Sequence, residues 1–333
     1  MCVAASSVHQ SRFARHIARG LWGTVAGALL LAGLLPAAPA TADENLFGYL
    51  QGAEPTPKGH NEVYMWLTRR WDKGAGSYSA YDLKVEYEHG ITDNLSGGIA
   101  IKGLAIDTTG IRIDGYLPAD DKYGMRPSGV EASLKYSFLR PALDDIGLAA
   151  YLSGSYSWRD VHSGQDKDKY SMELKLLAQK YALDGQLVLV GNVGLESTYA
   201  KRKPIANLPI NDDTGEPLDW PTTPEMEIGV VAGVGASYRF APNWYFGAEM
   251  LYDTEFETEV GQERWSVQAG PTLHYGSKKW WATVTWFPQI RGGGEKFGPA
   301  SFNGQLYPGQ DDQNLHLIEK TRNEMRLKVG INF

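Results

Sequence analysis

Apolar and polar residues alternate with a period of two along most of this chain, most regularly at its end. Met325, Leu327, Val329, Ile331 and Phe333 are apolar, whereas Arg322, Glu324, Arg326, Lys328 and Asn332 between them are charged or polar. Successive side chains of a strand point to opposite faces, so such a segment separates an apolar medium from a wet one. The same alternation predicts roughly a dozen strands in all. They are Glu62–Trp71, Tyr78–Glu88, Leu95–Leu104, Val130–Phe138, Leu148–Trp158, Lys169–Gln179, Leu187–Tyr199, Glu225–Phe240, Trp244–Phe256, Arg264–Tyr275, Trp280–Phe287 and Thr321–Phe333.

The connections between these strands alternate in length. Short turns fall at Thr92-Asp93-Asn94, Arg140–Ile146, Leu183-Asp184-Gly185, Ala241-Pro242-Asn243 and Gly276-Ser277-Lys278-Lys279, with residues suited to tight reversals. Longer connections span 105–129, 159–168, 200–224 and 290–320, and shorter ones sit at 72–77 and 257–263. Short turns at one end and long loops at the other predict an all-β fold: a transmembrane antiparallel β-barrel of about 12 strands over residues 62–333. An even strand count places both termini on the periplasmic side. Residues 43–61, polar and carrying Pro55 and Pro57, read as an irregular periplasmic lead-in.

The aromatics sharpen this picture. By parity Tyr87, Tyr136, Phe138, Tyr238, Phe240 and Trp280 face outward near the turn end, and Tyr81, Tyr156, Tyr170, Tyr199, Trp265 and Trp286 near the loop end. Aliphatic residues such as Leu83, Val85, Leu174 and Val234 lie between. Two aromatic girdles around an aliphatic band are expected where a barrel crosses a bilayer. A soluble β-sandwich has no reason to sort aromatics by height. The mean hydropathy of −0.33 is compatible with a barrel, because only alternate residues meet lipid.

The first residues read as a targeting segment. Arg12, Arg15 and Arg19 precede an apolar run from Leu21 to Leu35 broken by glycines, and Ala40-Thr41-Ala42 is a small-residue cleavage site, so residues 1–42 are expected to be a signal peptide. Its removal takes away the single cysteine, Cys2, and makes the chain more acidic than its formal −7. Thiol chemistry and Cys-based metal sites are then not expected.

The parity that sends apolar groups outward sends many charges inward, and these need water or partners. Candidates for a lumenal solute path are Arg322, Arg326 and Lys328 on the last strand, with Glu86, Glu88, Glu227, Glu249 and Asp253 on facing acidic strands. Opposed signs of this kind set up a transverse field. Alternatively, the basic residues pair with Glu62, Glu86 and Glu88 and brace the seam. Trp281 and Phe287 point inward beside the basic strand, and Trp66 and Arg70 do so if Val63, Met65 and Leu67 face lipid. Tyr64 and Trp66 would also suit the lipid side, so the register of the first strand stays open. Such an aromatic and cationic wall suits sugars, aromatic acids or other anions.

Covalent chemistry has little support. His162-Ser163 with Asp160 and Asp166 is the one local grouping that superficially suits hydrolysis, and a solvated polar loop is the simpler reading. No HExxH or G-x-S-x-G occurs. The stretch Asn211–Glu216 has oxygen ligands but not the EF-hand spacing, so it reads as a turn, and no metal or cofactor is expected. Lys201-Arg202-Lys203 lies just beyond the Tyr199 girdle, where lipopolysaccharide phosphates would meet it. The connection over 290–320 is long enough to fold into the mouth as a gate.

Pro57-Lys58-Gly59, Glu62, Trp66, Gly76-Ser77-Tyr78-Ser79-Ala80-Tyr81-Asp82, Glu86, Glu88, Gly90 and Thr92-Asp93 carry a family resemblance. The chain there resembles a family of outer-membrane β-barrels known mainly as a domain of unknown function. In general layout it is also similar to the barrels that accompany phenol meta-cleavage pathways. The resemblance implies residence in the bacterial outer membrane, contact with its lipids and lipopolysaccharide, and assembly by machinery that reads the strand ending in Phe333. The function expected is a porin-like channel or transporter for small polar, charged or aromatic solutes. The alternatives are a structural or binding barrel with a closed, salt-bridged lumen and, further off, a membrane-embedded hydrolase.

Overall fold

Strong period-two alternation is realised as strands throughout the chain. The computed structural model describes residues 45–333 apart from 75, 111–121, 209, 218–219, 221, 258–260, 295–299, 303 and 308–313, so the expected signal peptide lies outside the described residues. In chain order the strands are β1 (Asn61–Trp71), β2 (Ser77–Gly90), β3 (Leu95–Thr109), β4 (Lys122–Leu139), β5 (Gly147–Arg159), β6 (Asp166–Ala182), β7 (Leu187–Arg202), β8 (Ile210–Asn211) and β9 (Glu216–Pro217). They continue as β10 (Glu225–Ala241), β11 (Trp244–Glu257), β12 (Gly261–Gly276), β13 (Trp280–Trp286), β14 (Gln289–Gly294), β15 (Ala300–Phe302), β16 (Gln305–Tyr307) and β17 (Asn323–Asn332). Among the described residues no helix is long and apolar enough to cross a membrane.

Antiparallel pairing joins neighbouring strands, and β17 pairs with both β1 and β13 while β11 pairs with β12, so the sheet closes on itself. Thirteen strands take part; β13 and β14 occupy one position along β12, broken at Phe287-Pro288, so the wall has twelve. Proline offers no N–H to the ladder, which accounts for the break. Closure removes the unpaired edges that a membrane would not tolerate. All twelve expected strands are present, several extended by a few residues toward the loop end.

The register settles which face each residue takes. Tyr87, Val63, Ile331 and Trp280 form one outward rung across the seam, and Glu86, Tyr64, Gly330 and Trp281 form the inward rung beside it. Tyr64, Trp66 and Arg70 thus point into the lumen, and Val63, Met65 and Leu67 to the outside. Gly330 is required at its place, because a Cβ there would lie 2.4 Å from the Trp281 ring. On the outside Tyr156 stacks on Tyr170 at 4.8 Å, and Tyr170 neighbours Tyr199 at 6.4 Å, giving part of one girdle.

The contrast between the two ends is narrower than the sequence pattern predicts. It rests on the connections 110–121, 203–224 and 295–322, whereas 72–76, 160–165 and 258–260 are as short as several turns, because the strands run on past the expected ends. Tight reversals use left-handed backbone, as at Asn243 (φ 67°) and at Leu183-Asp184-Gly185 (φ 51°, 53° and 77°), where Asn, Asp and Gly suit it and Leu183 does not. Residues 211–216 form the turn of the small β8–β9 hairpin.

The principal departure from expectation lies inside the barrel. Residues 45–56, read as a periplasmic lead-in, run within the lumen. Leu46, Phe47, Leu50 and Ala53 are buried, the first three against Val188, Val190 and Tyr245 and Ala53 against Ala149, Tyr151 and Leu177. Each large apolar side chain so covered contributes roughly 1.5–3 kcal/mol. A lead-in with few apolar residues could be foreseen as irregular. That its few apolar groups find a dry patch inside a mostly polar tube depends on tertiary structure.

Candidate functional site

The lumen holds two kinds of polar structure. Along one wall, charges on neighbouring strands neutralise one another. Lys84 bridges Glu86 and Glu131 at 2.6 Å each, Lys102 meets Glu131 at 2.8 Å, and Lys175 meets Glu173 at 2.8 Å. Glu227 faces Lys169 at 3.7 Å. Lys84–Glu86 and Lys175–Glu173 lie two residues apart on one strand, Lys102–Glu131 joins adjacent strands, and Lys84–Glu131 and Lys169–Glu227 reach across the strand between.

On the other side the wall turns its charges toward the segment 45–56, which acts as a plug. Glu249 on β11 is buried and accepts three backbone N–H groups, from Gly48 (2.7 Å), Tyr49 (2.9 Å) and Leu50 (3.0 Å), and the Thr285 hydroxyl at 2.9 Å. Across the plug, Arg326 on β17 donates to the Gly48 carbonyl at 3.0 Å and to Thr68 Oγ1 at 2.8 Å, and its guanidinium stacks 3.9 Å from the centre of the Tyr49 ring. Lys328 donates to Asn45 Oδ1 (2.9 Å) and to the Phe47 carbonyl (3.2 Å). Tyr49 also stacks on buried Phe287 at 4.2 Å and donates its hydroxyl to Glu324 at 2.8 Å.

From there the plug returns toward the turn end. Gln51 N–H donates to Asn192, Ala53 N–H to Gln179, and Thr56 donates to Glu88 at 2.6 Å. Lys135 and Ser137 donate to the carbonyls of Glu54 and Ala53. Space for the plug is made by inward glycines: a Cβ on Gly233 or Gly235 would lie 2.6 or 2.7 Å from Leu50 or Phe47. Beside this segment, Gln51, Trp66 and Ser96 line a cavity of about 20 Å³, and one buried polar atom of each makes no hydrogen bond within the protein. That volume admits about one water molecule.

The loop end is closed differently. Residues 314–321 fold inward from the last long connection, burying Leu315, His316, Leu317 and Ile318. Glu319 meets Arg264 at 3.3 Å and His316 at 2.8 Å, and Lys320 meets Asp253 at 3.0 Å. Asp253 also pairs with Arg264 at 3.5 Å and accepts from Ser266 at 2.8 Å. Gln289 holds the segment by its side chain, accepting from His316 N–H and donating to the His316 carbonyl. Lys73 donates to the Ile318 carbonyl at 2.6 Å. Burial, followed by the nearby Arg70, pulls the Lys73 ammonium down from its usual 10.5 to about 7. Burial opposes the charge of Glu319, yet the His316 hydrogen bond and Arg264 hold its carboxyl below the usual range.

Several expected site residues take places the sequence did not indicate. Arg326 and Lys328 send hydrogen bonds into the lumen, to Gly48, Asn45 and Phe47. They address the plug, while Glu62 accepts from Trp281, Glu86 pairs with Lys84 and Glu88 accepts from Thr56. Arg322 precedes β17 and joins the mouth through its backbone, donating to the Asp72 carbonyl at 2.7 Å and accepting from Gln289 N–H. Arg70 lies inward but is bound to Asp82 and to the Val161 carbonyl of an inward-folded loop. Trp66 is surrounded by Lys84, Lys328 and Arg326 at 4.4, 5.0 and 5.2 Å from its ring.

The basic triplet divides by parity. Lys201 and Lys203 face outward, with Lys203 3.6 Å from Asp168, whereas Arg202 points inward, is buried and binds Glu225. At His162-Ser163 the hydroxyl and both backbone N–H groups go to Asp160, which makes the stretch a side-chain-capped turn. Burial, with Lys73 and Arg70 nearby, keeps the His162 imidazole well below its ordinary value, and its Nδ1 makes no hydrogen bond. Glu249 was foreseen as lumenal. Tyr49 and Gly48 were missed, and the one available signal was the inward Gly229, Gly233 and Gly235 of β10, which leave a hollow for something to fill.

The chain belongs to the family of unknown function DUF6662, which matches residues 39–333. No curated protein matches it in sequence. The fold is similar to that of the COG4313 outer membrane channel from Pseudomonas putida F1, with a TM-score of 0.55 and 10% identity over 88% of this chain and 100% of that one. The β domain of the Bordetella autotransporter Brka gives 0.47 and 12% identity, covering 82% and 99% of the two chains. The KdgM porin gives 0.39 and 11% over the same shares. The first of these likenesses shows the fold: this is an outer-membrane-type β-barrel.

Proposed function

We propose that the protein is a porin-like channel of the bacterial outer membrane, closed at rest by its own residues 45–56, which admits small polar or charged solutes when that segment withdraws. The observation that carries this reading is how the plug is held. Its hydrogen bonds end on wall side chains such as Glu249, Arg326, Lys328, Asn192 and Gln179, all of which would line a water-filled passage without it. Leu46, Phe47 and Leu50, packed on Val188, Val190 and Tyr245, hold the segment in place at rest. The twelve-strand wall fits a narrow pore, between barrels filled by side chains and those with wide channels.

A disulfide tests it directly, since the only native cysteine lies in the expected signal peptide. A Cβ on Gly48 would lie 2.8 Å from Thr285 Cβ, closer than a disulfide spans, so Gly48→Cys with Thr285→Cys can be bridged once the segment gives by about 1 Å. In planar bilayers the oxidised protein is expected to be silent and the reduced protein to show discrete current steps. Equal currents in both forms rule out this segment as the gate. Silence of the reduced, folded barrel favours the second reading, a closed binding barrel, which is supported by the ion-paired 314–321 segment at the other end.

Placement in the membrane follows the same reading. Lys201 and Lys203 sit on the outer face beyond Tyr199 and are the residues offered to lipopolysaccharide phosphates; Arg202 is not. Replacing both lysines with Gln should weaken lipopolysaccharide retention, while Arg202→Gln should leave it unchanged. The assembly machinery would engage the β17 end at Phe333, so deleting that residue should lower the yield of assembled barrel.

A further inference from the structure

The plug shows what the lumenal site can hold. Glu249 gathers three N–H groups on one carboxylate, at 2.7, 2.9 and 3.0 Å, the number of donors an ammonium group carries. On the same residue, Gly48, the carbonyl oxygen faces the Arg326 guanidinium at 3.0 Å. The N, Cα, C and O atoms of Gly48 are those of an α-amino acid, so carboxylate and guanidinium are set one residue length apart. Among the described residues no carboxylate lies within 4.0 Å of Arg326; its partners are neutral oxygens of Gly48 and Thr68. Arg326 is half-buried, and a charge-assisted bond at this point would be about twice as strong as the one to a carbonyl. Next to this pair, Phe287 stacks on an aromatic ring at 4.2 Å and Glu324 receives its hydroxyl.

Resting on the channel reading above, we propose that the space between Glu249 and Arg326 is a binding site for small zwitterionic α-amino acids, glycine above all, which enter it in place of Gly48. The ammonium goes to Glu249 and the carboxylate to Arg326, and a bulky side chain is disfavoured because a Cβ at the Gly48 position would lie 2.8 Å from Thr285 Cβ. The plug is then a tethered competitor: its main chain occupies the site with weaker neutral partners and yields to a solute bearing full charges at the same points.

The test is uptake by proteoliposomes of the refolded mature barrel, with glycine, N-acetylglycine and glycinamide as probes and chloride conductance recorded in parallel. Glycine is expected to enter about tenfold faster than either capped form, the loss of one charge-assisted bond. Glu249→Gln should abolish discrimination against the N-acetyl form, and Arg326→Gln discrimination against the amide. The conservative Glu249→Asp and Arg326→Lys should keep part of each preference, and heat-modifiable gel migration shows that every variant is folded. Equal uptake of all three probes with conductance intact overturns the inference and leaves the channel standing. A folded barrel with neither conductance nor uptake overturns the channel reading, and the inference falls with it.

Discussion

The two ends of the lumen are closed by different chemistry. Toward the turn end, residues 45–56 are held largely by backbone groups bonded to wall side chains, with Leu46, Phe47 and Leu50 in a dry patch. Toward the loop end, residues 314–321 are held by ion pairs, Glu319 with Arg264 and Lys320 with Asp253. A desolvated hydrogen-bonded segment leaves as a unit and responds little to salt. An ion-paired segment near the mouth responds to pH and ionic strength. One closure is therefore suited to displacement by a competing ligand, the other to the state of the medium.

This difference can be broken from either side. The largest effect is expected for Glu249→Leu, which strands three buried N–H donors at about 1–3 kcal/mol each and should free the plug. Its signature is new protease sensitivity within residues 45–56 at any salt concentration. Next comes Arg264→Leu, which leaves Asp253, Glu255 and Glu319 without their shared cation. Breaking a buried pair costs about 3–5 kcal/mol, reduced here because Lys320 and His316 remain. Hydrogen exchange should speed up at 314–321 and stay unchanged at 45–56.

Tyr49→Phe is smaller, on the order of 1 kcal/mol for one hydrogen bond, and should shorten closed times in single-channel records without altering the open current. It separates the hydroxyl on Glu324 from the ring on Phe287. The smallest effect is that of pH on Lys73. Its ammonium titrates near 7 in the folded mouth and near 10.5 when released. Between those values the released state binds more protons, so the mouth segment is held more firmly as pH rises above about 7 and less firmly below it. Exchange at 314–321 should slow from pH 7 to 9 after correction for intrinsic rates, and Lys73→Met should remove the trend.

Much of this molecule follows from parity alone. Once Met325, Leu327, Val329 and Ile331 are assigned to lipid, the inward placement of Glu324, Arg326 and Lys328 is unavoidable, and register carries the rule around all twelve positions. The facing of Glu249, Asp253, Trp281 and Phe287 was legible for the same reason. Partners were less so. Whether Arg326 meets a carboxylate, water or a carbonyl depends on what fills the tube, and strand periodicity says nothing about a segment that is not a strand. Arg202 shows the converse: in composition it belongs to a basic run, but because β7 extends to Arg202 its side chain turns inward to Glu225.

The barrel, its lipid and lumen faces, its girdles and the stock of charges inside are legible in the chain, because these depend on local alternation and on the bilayer's demand for satisfied backbone. That residues 45–56 lie in the lumen, that Glu249 and Arg326 grip one glycine between them, and that 314–321 packs into the opposite end are matters of long-range packing. The contacts of Gly48 with Glu249 and Arg326 join segments some two hundred residues or more apart. They arise because a closed tube of twelve strands encloses more polar surface than its own walls can pair, and the nearest irregular segments are drawn in to satisfy it.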